Sequence, residues 1–106
     1  MRQYGLLNVG GDRVIMERNV VTRNQSAGIG VLRLPPDVAA IDPQVDPLPD
    51  GNRVERNVVQ ENGGNPDPKI APLPGRDLVW DGTGSGNCWS ANIFRTSFPP
   101  ALPTCP

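Results

Sequence analysis

Glu17-Arg18-Asn19-Val20-Val21-Thr22-Arg23-Asn24 recurs as Glu55-Arg56-Asn57-Val58-Val59-Gln60-Glu61-Asn62, identical at six of eight positions and offset by 38 residues. Ser90-Ala91-Asn92-Ile93-Phe94-Arg95-Thr96-Ser97 is a looser third copy. Just upstream, Gly51-Asn52-Arg53-Val54 matches Gly86-Asn87-Cys88-Trp89, and Gly11-Asp12-Arg13-Val14 matches with a two-residue slip. The shared unit is a Gly, a polar residue, a short apolar strand, an Asn, two apolar residues, two variable ones, and Asn or Ser. Self-similarity of this kind marks an array of small units, each burying its apolar face only against its neighbours. The pairs Val20-Val21, Val58-Val59 and Ile93-Phe94 favour strands. Gly28-Ile29-Gly30-Val31-Leu32 reads as a further strand of the first unit.

A second echo has another spacing. Pro47-Leu48-Pro49-Asp50-Gly51-Asn52-Arg53-Val54 resembles Pro72-Leu73-Pro74-Gly75-Arg76-Asp77-Leu78-Val79 at an offset of 25, the length of three short strands with their corners. The longer offsets then read as one turn plus a loop. Leu34 to Gly51 holds five prolines and Gly63 to Arg76 four. Proline has no N–H for a sheet ladder, so both segments are expected outside the sheets. The expected organisation is one all-β solenoid domain over 1–106. It has a first turn at 11–33, a Pro-rich loop at 34–50, a second turn at 51–62 and a second Pro-rich loop at 63–76. Last turns at 77–97 and a C-terminal cap at 98–106 complete it, giving about three to four turns in all. Asn19, Asn57 and Asn92 are placed at the sharp corners, because Asn tolerates left-handed dihedrals. Stacked, they would form a hydrogen-bonded ladder along the coil.

Composition supports a folded, loop-rich β chain. The 106 residues include 12 Gly and 13 Pro, yet Val, Leu and Ile fall in short runs and the net charge is only −1, too small for self-repulsion to hold the chain open. No basic stripe is present to neutralise phosphates, so no nucleic-acid partner is expected. No apolar run is long enough to span a membrane. Met1 to Gly11 lacks the pattern of a signal peptide, which leaves a cytosolic protein or a mature fragment. Cys88 and Cys105 occur without any His, a poor set for a metal. A disulfide is the favoured reading, worth about 3 kcal/mol in the chain-entropy model, with two unpaired thiols as the alternative. A disulfide would imply an oxidising compartment, and so a secreted or cell-surface protein.

The Arg-Asn-Val-Val-x-x-Asn units, with the closing stretch Asp77-Leu78-Val79-Trp80-Asp81-Gly82-Thr83-Gly84-Ser85-Gly86-Asn87-Cys88-Trp89-Ser90-Ala91-Asn92, resemble the last turns of right-handed parallel β-helix repeat proteins, the pectate-lyase-like superfamily found widely in bacteria. The likeness spans most of Gly10 to Cys105. It implies a right-handed parallel β-helix and a C-terminal piece or shortened relative. It does not imply one activity, because this superfamily hosts lyases, hydrolases, epimerases, adhesins and non-enzymes.

Tests for chemistry follow from that resemblance. Lyases of the superfamily use Arg or Lys as base beside calcium on clustered acids. Asp42, Asp46 and Asp50 are the best calcium candidates, but the prolines between them argue for solvated loop acids instead, and no cofactor is expected. Arg18 and Arg56 should stack on one face, open to an anionic sugar or paired with Glu17 and Glu55. Glycoside hydrolysis needs two carboxyls about 5–9.5 Å apart, and Asp77 and Asp81 would stand roughly 13 Å apart on one strand face. Without His, Ser–His and Cys–His catalysis is excluded. Gly82-Thr83-Gly84-Ser85-Gly86 lacks the Lys of a phosphate loop and reads as a turn. Asn24-Gln25-Ser26 matches a glycosylation acceptor. Trp80 and Trp89, with Asp81, could stack on a sugar ring, but capping the open end of the coil is the favoured role.

The function expected is therefore a non-catalytic structural or carbohydrate-associated module, the C-terminal end of a larger secreted protein or a self-associating unit. The N-terminal turn should expose strand edges that pair with another copy. The alternative is a polysaccharide lyase or epimerase whose active residues lie upstream or on the stacked Arg face.

Overall fold

The computed structural model describes residues 4–42, 44–65 and 74–106. Pro43, much of the second Pro-rich loop and the first two residues of the second copy of the echo, Pro72 and Leu73, lie outside the described residues. The strands are β1 (Tyr4–Val9), β2 (Ile15–Glu17), β3 (Val20–Thr22), β4 (Ala27–Leu32), β5 (Arg53–Glu55), β6 (Val58–Gln60), β7 (Arg76–Trp80), β8 (Cys88–Ser90), β9 (Ile93–Phe94) and β10 (Ser97–Phe98). One short helix, α1 (Pro36–Ala39), sits in the first Pro-rich loop. The strands form three sheets, β1-β4-β7-β10, β2-β5-β8 and β3-β6-β9, and every pairing between these strands is parallel. The chain thus visits the three sheets in turn and returns to the first one place further along, stacking each circuit on the last.

Equivalent residues stack in columns. Val20 pairs with Val58 and Val58 with Ile93; Val21, Val59 and Phe94 form the neighbouring column. Strand alternation sends one column out and the next in: Val20 is 77% exposed while Val21 is 7% exposed. The inner columns Leu6–Ile29–Leu78, Met16–Val54–Trp89 and Val21–Val59–Phe94 supply most of the core, in which Ile29, Val54, Val59 and Leu78 are fully buried. Short strands suffice because each inward side chain is covered from above and below by its own equivalents.

The corners differ from expectation in one respect. The left-handed residue is the one before each Asn, not the Asn: Arg18, Arg56 and Ala91 have φ of 58°, 55° and 55°, and Arg23 and Glu61 have 61° and 62°. Reversal one residue early leaves the Asn free to aim its amide along the stack. At the remaining corner the same place is held by Arg13, Gly51 and Gly86 (φ 55°, 67° and 71°). Arg13 therefore aligns with Gly51 without a slip, and Asp50 N donates to Asp12 Oδ1 across the same interval of 38 residues.

The echo at an offset of 25 is not one circuit. Arg53-Val54 lies in β5 of the second sheet and Leu78-Val79 in β7 of the first. Ladder partners in the second and third sheets are 38 and then 35 residues apart, the Pro-rich segments being bulges inside single circuits. Strand β1 also lies upstream of the first turn expected from the repeat. Its sequence carries no Asn-Val-Val signal, and only pairing with β4 reveals it.

Candidate functional site

Asparagine ladders run through the corners. In the middle one, the backbone N and Nδ2 of Asn19 both donate to Asn57 Oδ1 at 2.9 and 3.1 Å. The same groups of Asn57 donate to Asn92 Oδ1 at 3.0 Å each. Each later Asn also reaches back to a carbonyl of the circuit before, Asn57 Nδ2 to Met16 O and Asn92 Nδ2 to Val54 O. The repeat makes this ladder legible from sequence. Two others are less so. Asn52 donates by N and Nδ2 to Asn87 Oδ1 at 3.0 and 2.9 Å. Asn24 donates likewise to Asn62 Oδ1, and Asn62 to Asp77 Oδ1. Every ladder has the same polarity, with amide oxygens facing the N-terminal end.

The two ends of the stack are built differently. At the C-terminal end two of the inner columns close on an aromatic residue, Trp89 on Val54 and Phe94 on Val59, and Trp80 pairs with Val31 in a further column of the first sheet. The Trp80 and Trp89 rings meet at 5.4 Å, tilted by 44°, and Leu102 packs against the same core. The tail crosses the second sheet, with Trp89 N donating to Pro103 O and Cys105 N to Trp89 O. The Cys88–Cys105 disulfide, Cα–Cα 4.7 Å, fastens it and points to an oxidising environment. Asp77 closes the third ladder, its Oδ2 accepting from Arg95 N and Thr96 N while its own N donates to Thr96 Oγ1.

At the N-terminal end, β2 and β3 have no strand above them among the described residues. Beside β1 opens a groove of about 400 Å³, lined by Gly5, Leu6, Asn19, Val20, Val21, Thr22 and Asn24. No described residue donates to Asn19 Oδ1 or Asn24 Oδ1, and their Nδ2 groups turn to the carbonyls of Glu17 and Thr22 in their own circuit. Partial burial raises the Tyr4 phenol above its ordinary pKa.

The residues singled out in the sequence fall into separate places. Trp89 is 5% exposed and Trp80 is half-buried, its Nε1 donating to Thr83 O. The Asp81 carboxylate accepts from Arg33 N, Thr83 N and Thr83 Oγ1, anchoring the turn at Gly82–Gly86 to β4's end. Arg18 and Arg56 hold equivalent exposed corner positions, with Arg56 Nη1 3.9 Å from Glu17 Oε2. Glu55 is paired with Arg53 instead. The structure gathers Asp46 and Asp50 with Asp12 rather than with Asp42, ligand oxygens of the three lying within 4.8 Å of one another. Asp42 caps Gln44 N locally. Asp50 Oδ1 takes Ser85 N and Asp46 Oδ1 takes Leu48 N, so these carboxylates already serve as turn anchors. The acceptor pattern at Asn24 is closed to modification, since that side chain is a buried rung of a ladder. Among the described residues no helix is long and apolar enough to cross a membrane. Compared with protein-family models, curated proteins and solved structures, the chain matches none of them.

Proposed function

We propose that the chain is a non-catalytic β-solenoid module, a right-handed parallel β-helix of the pectate-lyase-like kind, serving a structural or carbohydrate-associated role as the C-terminal end of a larger secreted protein or as a self-associating unit. The observation that carries this reading is the contrast between a C-terminal end where a disulfide-pinned tail crosses the edge of the second sheet at β8 and an N-terminal end where β2 and β3 have no cover among the described residues. That asymmetry suits a terminus that continues another stack. It is supported by the structural use made of the charged side chains that the sequence offers for chemistry. Asp77 and Asp81 hold corners, and Arg56 and Arg53 hold ion pairs.

Two measurements on the purified, oxidised chain test it. Incubation with acidic polysaccharides, with and without calcium, is expected to release no unsaturated product. Steady release would make the chain a lyase and overturn the reading. Light scattering on a sizing column, with and without reductant, separates the two structural forms: a defined dimer or trimer identifies a self-associating unit, and a monomer identifies an end module.

A further inference from the structure

Two patches on the sides of the coil leave apolar side chains in water. The first is the outer face of the third sheet. Its outward column Val20–Val58–Ile93 crosses all three strands, with Val20 77% and Ile93 58% exposed. Arg18 and Arg56 border this ridge on one side, Arg23 and Arg95 on the other, and all four are exposed. Arg56 and Arg23 face Glu17 and Glu61, whereas Arg18 and Arg95 form no ion pair with a described residue. The second patch is the first Pro-rich bulge. Val38, Ile41, Val45 and Leu48 are 46%, 83%, 42% and 36% exposed, and α1 buries none of its residues. From Leu34 to Asp50 the bulge has four Asp and no Lys or Arg.

We infer that the acidic, apolar bulge of one copy docks on the arginine-bordered ridge of a second copy's third sheet. Single exposed apolar residues need no partner, but grouped ones mark interaction surfaces. Here the two groups carry opposite charge at their borders, which sets the pairing and excludes bulge on bulge or ridge on ridge. Asp46 and Asp50 already brace turns, so the exposed Asp37 and Asp42 supply the charge that meets Arg18 and Arg95.

One copy cannot close this contact on itself. Its bulge leaves the coil between β4 of the first sheet and β5 of the second. Leu34 N to Pro47 O and Arg13 N to Asp50 O tie the bulge down at that corner. The third sheet is the one sheet that this corner does not border, so the two patches look away from each other. A contact between unlike patches is heterologous and runs on from copy to copy, side by side. It lies at the small end of protein interfaces, under about 1,200 Å², so the assembly is weak and set by concentration. It goes beyond the reading above, because it uses neither end of the coil and holds whether or not either end continues another stack.

Light scattering over a concentration series of the intact oxidised chain tests it. Average mass should rise with concentration and fall back in about 1 M salt, where screening sets in beyond about 3 Å. Two paired variants decide which surfaces meet. Arg18→Glu with Arg95→Glu reverses the ridge border; Glu61 already holds a left-handed corner place, at φ 62°, so the backbone at 18 accepts Glu. Asp37→Arg with Asp42→Arg reverses the bulge. Each pair alone should weaken association about tenfold or more. An equimolar mixture of the two should restore it, because the reversed bulge then meets the reversed border. Ile41→Ser, at a side chain already in water, should weaken association about fivefold with melting unchanged. A chain that stays monomeric throughout the series overturns the inference. So does association that survives either reversal, or that the mixture fails to restore. Those outcomes leave the non-catalytic reading to its polysaccharide assay.

Discussion

The third ladder begins and ends in two different ways, and the difference shows how the stack is made one-sided. At the N-terminal end Asn24 is the first rung among the described residues, its Nδ2 shared between Asn62 Oδ1 and Thr22 O of its own circuit. At the other end Asp77, 1% exposed, has no Nδ2. It accepts from Asn62 N, Asn62 Nδ2, Arg95 N and Thr96 N. An Asn at 77 would turn an amide donor toward the Arg95 and Thr96 N–H groups. A carboxylate accepts on both sides and so ends a ladder that an Asn would continue. The apolar columns of the second and third sheets follow the same plan, with Trp89 and Phe94 at the C-terminal end, where a larger ring stands in for a further circuit.

Substitutions at the two ends should separate accordingly. Asp77→Ala removes a buried carboxylate that accepts four hydrogen bonds, three of them from backbone N–H groups, and should cost about 4 kcal/mol, read as a fall in urea midpoint at unchanged slope. Asn24→Ala at the opposite end of that ladder should cost only about 1 kcal/mol; equal losses would mean the N-terminal end is as tightly closed as the other. Next in size is the disulfide. Cys88→Ser with Cys105→Ser should cost about 3 kcal/mol, and reductant should lower the parent's midpoint to the same value. If reductant does nothing, the tail is held by Leu102 and the Trp89 backbone bonds alone.

Two glycines sharpen the comparison further. A Cβ on Gly28 would stand 2.4 Å from Val59 Cγ1 and 2.7 Å from Asp77 O; one on Gly5 would stand 2.2 Å from Val21 Cγ1 and 2.8 Å from Gly28 O. The clashes are alike, but β4 is held on both sides and β1 on one. Gly28→Ala should cost about 3 kcal/mol and Gly5→Ala about 1 kcal/mol, because an outer strand can shift. Equal costs would show that β1 is as fixed as β4. The smallest effect is expected at the corners, where Arg18→Gly relieves a left-handed Arg and should raise stability by up to about 1 kcal/mol. A loss there would mean the Arg18 side chain contributes more than its strained backbone costs.

Much of the fold was legible because parallel stacking repeats chemistry at equivalent positions. The Arg-Asn-Val-Val copies are the strands β3 and β6 with their corner, and even the loose Ser90–Ser97 copy falls in register. The corner dihedral was not legible residue by residue. Asn is the usual left-handed choice, yet here its side chain has to serve the ladder, which moves the reversal to Arg18 and Arg56. The offset-25 echo misled because Pro, Gly and Asp recur wherever a chain turns, whichever sheet follows. The acid group was legible only in part. Asp46 and Asp50 lie close in sequence, whereas Asp12 reaches them because the chain returns one circuit later.

The sequence by itself determined that this protein is all-β and repetitive and that Asn rungs and Val pairs recur, since these depend on local pattern and composition, and it favoured a Cys88–Cys105 disulfide that the structure then formed. Only the tertiary structure decided that β1 covers the first sheet while the other two keep open edges, that Asp77 closes a ladder, and that Trp80 and Trp89 face each other. Each of those depends on which residues the stacking brings level, and the unequal Pro-rich bulges hide that alignment from any fixed spacing along the chain.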